Sequence, residues 1–171
     1  MLLDLAMIER ALRRLDEELG ARGVRAEAFL VGGVVMCLVH HARPSTRDVD
    51  GWFTEAPVVR AAVRAVAEEL DLPADWLNDA AKGFIPPNAG YERWREFANL
   101  SVSTVDTETL LAMKCAAGRT DVDGGDIRTL AGILGLTSST QILDIVTRYF
   151  PEERLPIRIR LLLEEMFDDG A

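Results

Sequence analysis

Residues 29–53 read FLVGGVVMCLVHHARPSTRDVDGWF, and the order of residue types in this stretch decides the fold. The apolar run Ala26 to Val31 predicts a short strand, Gly32-Gly33 a turn, and Val34 to His41 an apolar helix. A polar turn then leads to a second strand carrying Asp48 and Asp50. Strand side chains alternate with period two, so the two carboxylates are expected on one face. Carboxylates that close repel each other, and burying either one uncompensated is costly. A divalent cation is the usual remedy.

Outward from this unit, Leu5, Ile8, Leu12, Leu15 and Leu19 recur three and four apart and predict an amphipathic helix over 2–19, stopped at Gly20 and Gly23. Its charged face of Glu9, Arg13, Arg14, Asp16, Glu17 and Glu18 reads as solvated. Residues 57–70 predict a second such helix, with Pro57 in its first turn and Val59, Val63, Val66 and Leu70 inward. Leu72 to Tyr91 is irregular and rich in Pro and Gly, so a helical turn over 74–81 followed by a loop is expected. Within it Trp76 reads as the anchor of that loop rather than a base-stacking residue, and Lys82 as solvent-facing rather than phosphate-binding. The alternation in FANLSVSTV predicts a third strand over 97–105. No acid occurs between Phe97 and Val105, and Asp106 reads as a helix N-cap.

The stretch from Leu110 to Leu136 is the second informative one. Lys114 shares a helix face with Leu110 and Leu111, so it either snorkels to solvent or needs an anionic partner. Asp123 and Asp126 precede the apolar stripe Ile127, Leu130, Ala131 and Leu134; one of them is expected to cap a helix, with Gly124-Gly125 as a turn. Helices over 138–150 and 152–167 close the chain, with Arg154, Arg158 and Arg160 early in the last one reading as a solvated face. The fold class is thus α+β: a small mixed sheet flanked by helices over 1–105, and a helical part over 106–171 packed on it as one compact unit.

A length of 171 residues suits a core of this size, and 49% hydrophobic with 27% charged residues is an ordinary soluble composition. The longest apolar run is far short of a membrane span, and the acidic, periodic N-terminus does not resemble a signal peptide, so a cytoplasmic location without membrane contact is expected. A net charge of −9 disfavours a broad nucleic-acid-binding surface. Cys37 and Cys115 lie inside apolar patterns and read as buried thiols. His40 and His41 read as the end of the apolar helix, without metal-ligand spacing.

The sequence of Gly32-Gly33, an Arg/Ser/Thr-rich turn and Asp48-x-Asp50 resembles the signature of the nucleotidyltransferase superfamily with the polymerase-β-like fold. The form GG…RPSTRDVD, followed by Lys114, Arg119 and D-x-x-D ending at Asp126, resembles more closely the short bacterial toxin–antitoxin nucleotidyltransferases of the AbiEii type. Two departures are visible: Gly33 stands where many members have Ser, and fourteen residues separate Gly33 from Asp48. The resemblance implies transfer of a nucleoside monophosphate from an NTP, with Asp48 and Asp50 holding Mg²⁺ and the backbone at Gly32 and Gly33 cradling the triphosphate. It further implies Arg43, Ser45 and Arg47 on the β and γ phosphates, Lys114 neutralising the nucleotide, and Asp126 orienting or deprotonating the acceptor. The acceptor is left open among RNA, protein and a small molecule, and a protein partner from a toxin–antitoxin pair is implied. The alternative is a catalytically degenerate member of the same fold that acts as a partner-binding, antitoxin-like module.

Overall fold

The computed structural model describes residues 1–168. Its chain is mixed α+β and divides into two compact units, one of residues 1–83 and 91–105, the other of residues 84–90 and the described residues from 106 onward. The last three residues of the helical part expected at 106–171 lie outside the described residues.

The first unit runs β1 (Leu3–Asp4), α1 (Leu5–Ala21), β2 (Ala26–Val31), α2 (Gly33–Leu38), β3 (Ser45–Thr46), β4 (Val49–Phe53), α3 (Ala56–Leu70), β5 (Leu77–Asn78), β6 (Tyr91–Glu96) and β7 (Leu100–Val105). The long strands form one sheet in the order β5-β4-β2-β7-β6. Strand β2 sits at its centre, antiparallel to β4 and parallel to β7. The alternation is legible in burial: Ala26, Ala28 and Leu30 of β2 and Val49 and Phe53 of β4 are buried, whereas Phe29, Asp50 and Trp52 keep part of their surface exposed. Helix α1 buries the stripe Ile8, Ala11, Leu12, Leu15 and Leu19, and the Asp4 carboxylate caps it by accepting from the Met7 N–H at 2.8 Å. Helix α3 packs beside α1 and buries Val59, Ala62, Val63 and Val66.

Three local expectations are corrected here. The apolar helix expected to reach His41 ends at Leu38; the Val39 and His40 N–H groups both turn back to the Val35 carbonyl, and His41 adopts φ 50°. Neither histidine therefore belongs to a regular helix C-terminus. The helical turn expected over 74–81 is displaced by a short parallel strand, because Leu77 and Asn78 pair with Val49 and Asp50, and a 3₁₀ turn follows only at Ala80–Phe84. The single strand expected over 97–105 is the second arm of a β6–β7 hairpin with an irregularity between Arg93 and Arg95.

The second unit contains α4 (Thr107–Ala117), α5 (Thr120–Ile133), α6 (Ser139–Tyr149) and α7 (Ile157–Phe167). Asp106 caps α4 as expected, accepting from the Thr109 N–H at 2.7 Å, and Ser138 caps α6. Helix α5 begins at Thr120 and runs straight through Gly124-Gly125, so neither Asp123 nor Asp126 is a cap and the glycine pair is no turn. Leu110, Leu111, Cys115, Ile127, Leu130, Ile142, Val146, Ile159 and Leu163 form the core of this unit. Arg160 pairs with Glu152 at 2.8 Å. Both cysteines are buried thiols outside any disulfide, and burial, reinforced by the charge of Asp123, pushes the Cys115 thiol up to about 12. Among the described residues, no helix is long and apolar enough to cross a membrane.

Candidate functional site

At the end of β2 the chain passes directly beside β4, with Val31 opposite Asp50 in the ladder. The next residue, Gly32, takes φ 75° and ψ −141°, which an L side chain rarely adopts, and a Cβ there would sit 3.5 Å from Asp50 Oδ2. Gly33 is required for a different reason: a Cβ would come within 2.8 Å of Thr46 Oγ1. Thr46 is buried, β-branched and fixed, its hydroxyl donating to the Asp48 carbonyl at 3.2 Å. The two glycines thus bring backbone against the turn and strand that carry the carboxylates.

The candidate residues of this turn are held by short ladders. Ser45 and Thr46 form β3, paired with Asp4 and Leu3 of β1, and the Val49 N–H donates to the Trp76 carbonyl at 2.7 Å. Asp50 lies within β4 and is half-buried, whereas Asp48 stands just before the strand and is exposed, which corrects the expectation that both belong to the strand. Arg43 and Ser45 are half-buried and Arg47 is exposed.

No group of three or more His, Cys, Asp or Glu placed to hold a metal ion occurs among the described residues. A metal site built only from protein ligands is therefore not offered here. Asp50, half-buried on β4, with Asp48 two residues before it, is a donor set of the kind that suits Mg²⁺, which is commonly held by one or two carboxylates with water and substrate phosphates supplying the rest. Helix α2 has only six residues, so the macrodipole at its N-terminus is small.

Strand β7, next to β2, carries Ser101 opposite Glu27 and Ser103 opposite Phe29, and no acid. Glu96 is engaged: Ser101 Oγ donates to it at 2.7 Å and Arg25 at 2.5 Å, and these contacts, the Ser101 hydrogen bond foremost, hold its carboxyl below the usual range.

An aromatic cluster that sequence reasoning missed borders Asp50. Trp52, two residues along β4, stacks on Phe29 with centroids 4.1 Å apart and planes at 9°, and Tyr91 meets Phe29 edge-on at 5.1 Å. Trp52 Nε1 donates to the Tyr91 hydroxyl at 3.0 Å. Burial raises the Tyr91 phenol above its ordinary value, against an opposing effect of that hydrogen bond. The signal was present in the alternation D-V-D-G-W, which puts Trp52 on the face of Asp50, but the partner Tyr91 sits in a strand the pattern did not reveal. Trp76 is fully buried and donates to the Val63 carbonyl at 3.2 Å, so it is the loop anchor expected, and Lys82 is exposed.

Lys114 and Asp126 belong to the second unit, apart from the other candidate residues in this division of the chain. Lys114 on α4 is 4% exposed; its Nζ donates to Asp123 Oδ1 at 2.8 Å and lies 2.6 Å from Asp126 Oδ2. Arg119 Nε donates to the other Asp123 oxygen at 2.9 Å. Asp123 and Asp126, three apart on α5, share one helix face, so the unbroken helix is what aims both at the lysine. Of the two possibilities for Lys114, the anionic partner is realised. Its charge is taken up locally, and the group fastens α4 to α5. Compared with known proteins, the chain matches no family model, no curated protein and no solved structure.

Proposed function

We propose that the chain is a Mg²⁺-dependent nucleotidyltransferase of the polymerase-β-like kind, resembling the AbiEii-type toxin–antitoxin enzymes and acting in the cytoplasm. The observation that carries this reading is the passage of Gly32, at positive φ, beside the Asp50 carboxylate directly after a strand paired with β4. In the reaction an acceptor hydroxyl of RNA, protein or a small molecule attacks the α-phosphorus of an NTP, a new P–O bond forms, pyrophosphate leaves, and the acceptor gives up its proton. Asp48 and Asp50 hold the ion, which offsets the charge on the phosphoryl oxygens when bound. Arg43 and Arg47 grip the β and γ oxygens with forked hydrogen bonds, Ser45 adds a hydroxyl donor, and the amides at Gly32 and Gly33 line the same approach. Lys114 and Asp126 keep the roles of nucleotide neutralisation and acceptor activation only if their mutual contact opens.

A second reading is favoured by two observations: β7 has no acid beside Asp50's neighbour β2, and Lys114 is already neutralised by Asp123 and Asp126. In it the chain keeps the fold and binds a protein partner of a toxin–antitoxin pair without catalysis.

Calorimetric titration of the four NTPs with and without Mg²⁺, on wild type and on Asp48→Ala/Asp50→Ala, separates the possibilities. The donor-site reading expects Mg²⁺-dependent binding that vanishes in the double variant, followed by transfer of labelled nucleotide that Asp50→Asn abolishes. Binding without transfer in any acceptor screen favours the second reading; no binding to any NTP overturns the first.

A further inference from the structure

Trp52 and Asp50 are two residues apart on β4, so their side chains leave the same face of the sheet about 7 Å apart along the strand. That is the scale of the ribose that separates a nucleotide's α-phosphate from its base. The indole is held on two sides: one ring face lies on Phe29 at 4.1 Å, and its N–H is bound by the Tyr91 hydroxyl. On the other side of β4, β5 pairs only with Val49 and Asp50, so among the described residues no strand flanks Trp52 there, and Trp52 keeps part of its surface exposed.

We propose that Trp52 is the stacking platform for the nucleobase of the nucleoside triphosphate whose phosphates lie at Asp48 and Asp50, an inference that rests on reading those two residues as a donor site. Phe29 and Tyr91 position the indole; they do not themselves touch the base. A platform already fixed by its neighbours loses little conformational freedom when a ligand arrives. Every base offers a π-face, so stacking of this kind tolerates any of the four and favours the larger purine surface. The donor selectivity that follows is graded, ATP and GTP ahead of CTP and UTP, rather than absolute.

The test compares MgATP with magnesium tripolyphosphate, which has the phosphate chain and no base, by calorimetry on wild type, Trp52→Leu and Trp52→Phe. Leucine keeps an apolar side chain at the position and removes the π-system, and thermal melts of each variant check that it is folded. The expected result is a loss of about tenfold or more in ATP affinity for Trp52→Leu, most of it regained in Trp52→Phe, with tripolyphosphate bound equally by all three. Equal ATP affinity in wild type and Trp52→Leu overturns the proposal while leaving the donor site intact. Wild type that binds neither ligand in Mg²⁺ overturns the donor site, and the stacking role with it.

Discussion

Lys114 and Asp123, nine residues apart in the chain, meet as a hydrogen-bonded ion pair at 2.8 Å with 4% and 1% of their side chains exposed. The pair places a charged group in the core of the helical unit, and Asp126 adds a second carboxylate to the same ammonium. Charges this deeply buried are tolerable only together. Lys114→Met takes the ammonium away from two buried carboxylates, leaving Arg119 as the cation on Asp123, and is expected to cost about 3–5 kcal/mol, read as a lowered urea midpoint at unchanged slope. Replacing the whole group, Lys114→Met with Asp123→Leu and Asp126→Leu, is expected to recover most of that loss. If Lys114→Met unfolds no more easily than wild type, the group is not the fastener described.

Gly33 and Thr46 test the fit at the mouth of the candidate site. Gly33→Ser introduces a Cβ at 2.8 Å from a buried, stiff threonine and is expected to destabilise by about 1–3 kcal/mol, as overpacking does. Thr46→Ala makes room, so the double variant Gly33→Ser/Thr46→Ala is expected to be more stable than the sum of the two single changes. A double-mutant cycle by chemical denaturation measures the coupling.

His40 gives the first unit a pH dependence. Its imidazole is held below the ordinary 6.5, chiefly by burial and further by His41, with Glu92 acting in the opposite direction. A base with a lowered folded value binds its proton more readily when unfolded, so stability rises with pH across this interval. Acidification from neutrality is expected to lower stability once the pH passes below 6.5, and the loss levels off beneath the folded value, where both states are protonated. His40→Gln is expected to flatten that part of the profile, as followed by thermal melts between pH 7.5 and 5 in steps of about half a unit.

Gly125 lies inside α5, exposed, with nothing within 4 Å of a Cβ built on it. Glycine within a helix costs about 0.5–1 kcal/mol relative to alanine. Gly125→Ala is therefore expected to stabilise by that amount, with a higher melting temperature as the readout. A drop in melting temperature contradicts the helix assignment through this glycine.

The elements with strong periodicity were legible in the sequence: the α1 and α3 stripes, the β2 strand into Gly32-Gly33, the Asp106 cap. What escaped was structure decided by distant partners. The string YERWRE has four charges in six residues and no clean apolar alternation, because β6 is the edge strand and only β7 flanks it. Gly124-Gly125 reads as a turn by composition, yet Asp123 and Asp126 are drawn to Lys114 on another helix, and tertiary pairing overrides local preference. The carboxylate pair and its glycines were visible as a motif; the Phe29–Trp52–Tyr91 stack was not, since its three members come from three strands.

Strand β2 is paired on one side with β4, which follows it within about twenty residues, and on the other with β7, where Ala26 meets Leu100. The first pairing closes a short loop; the second must bring together residues 74 positions apart. During synthesis, therefore, the β2–β4 pair carrying Asp50 can form early, while the backbone N–H and C=O groups on the other edge of β2 wait for residue 100 and beyond to leave the ribosome. In that interval the nascent chain exposes an unpaired central strand, and the joining of β7 marks the point at which the sheet ceases to be an aggregation hazard.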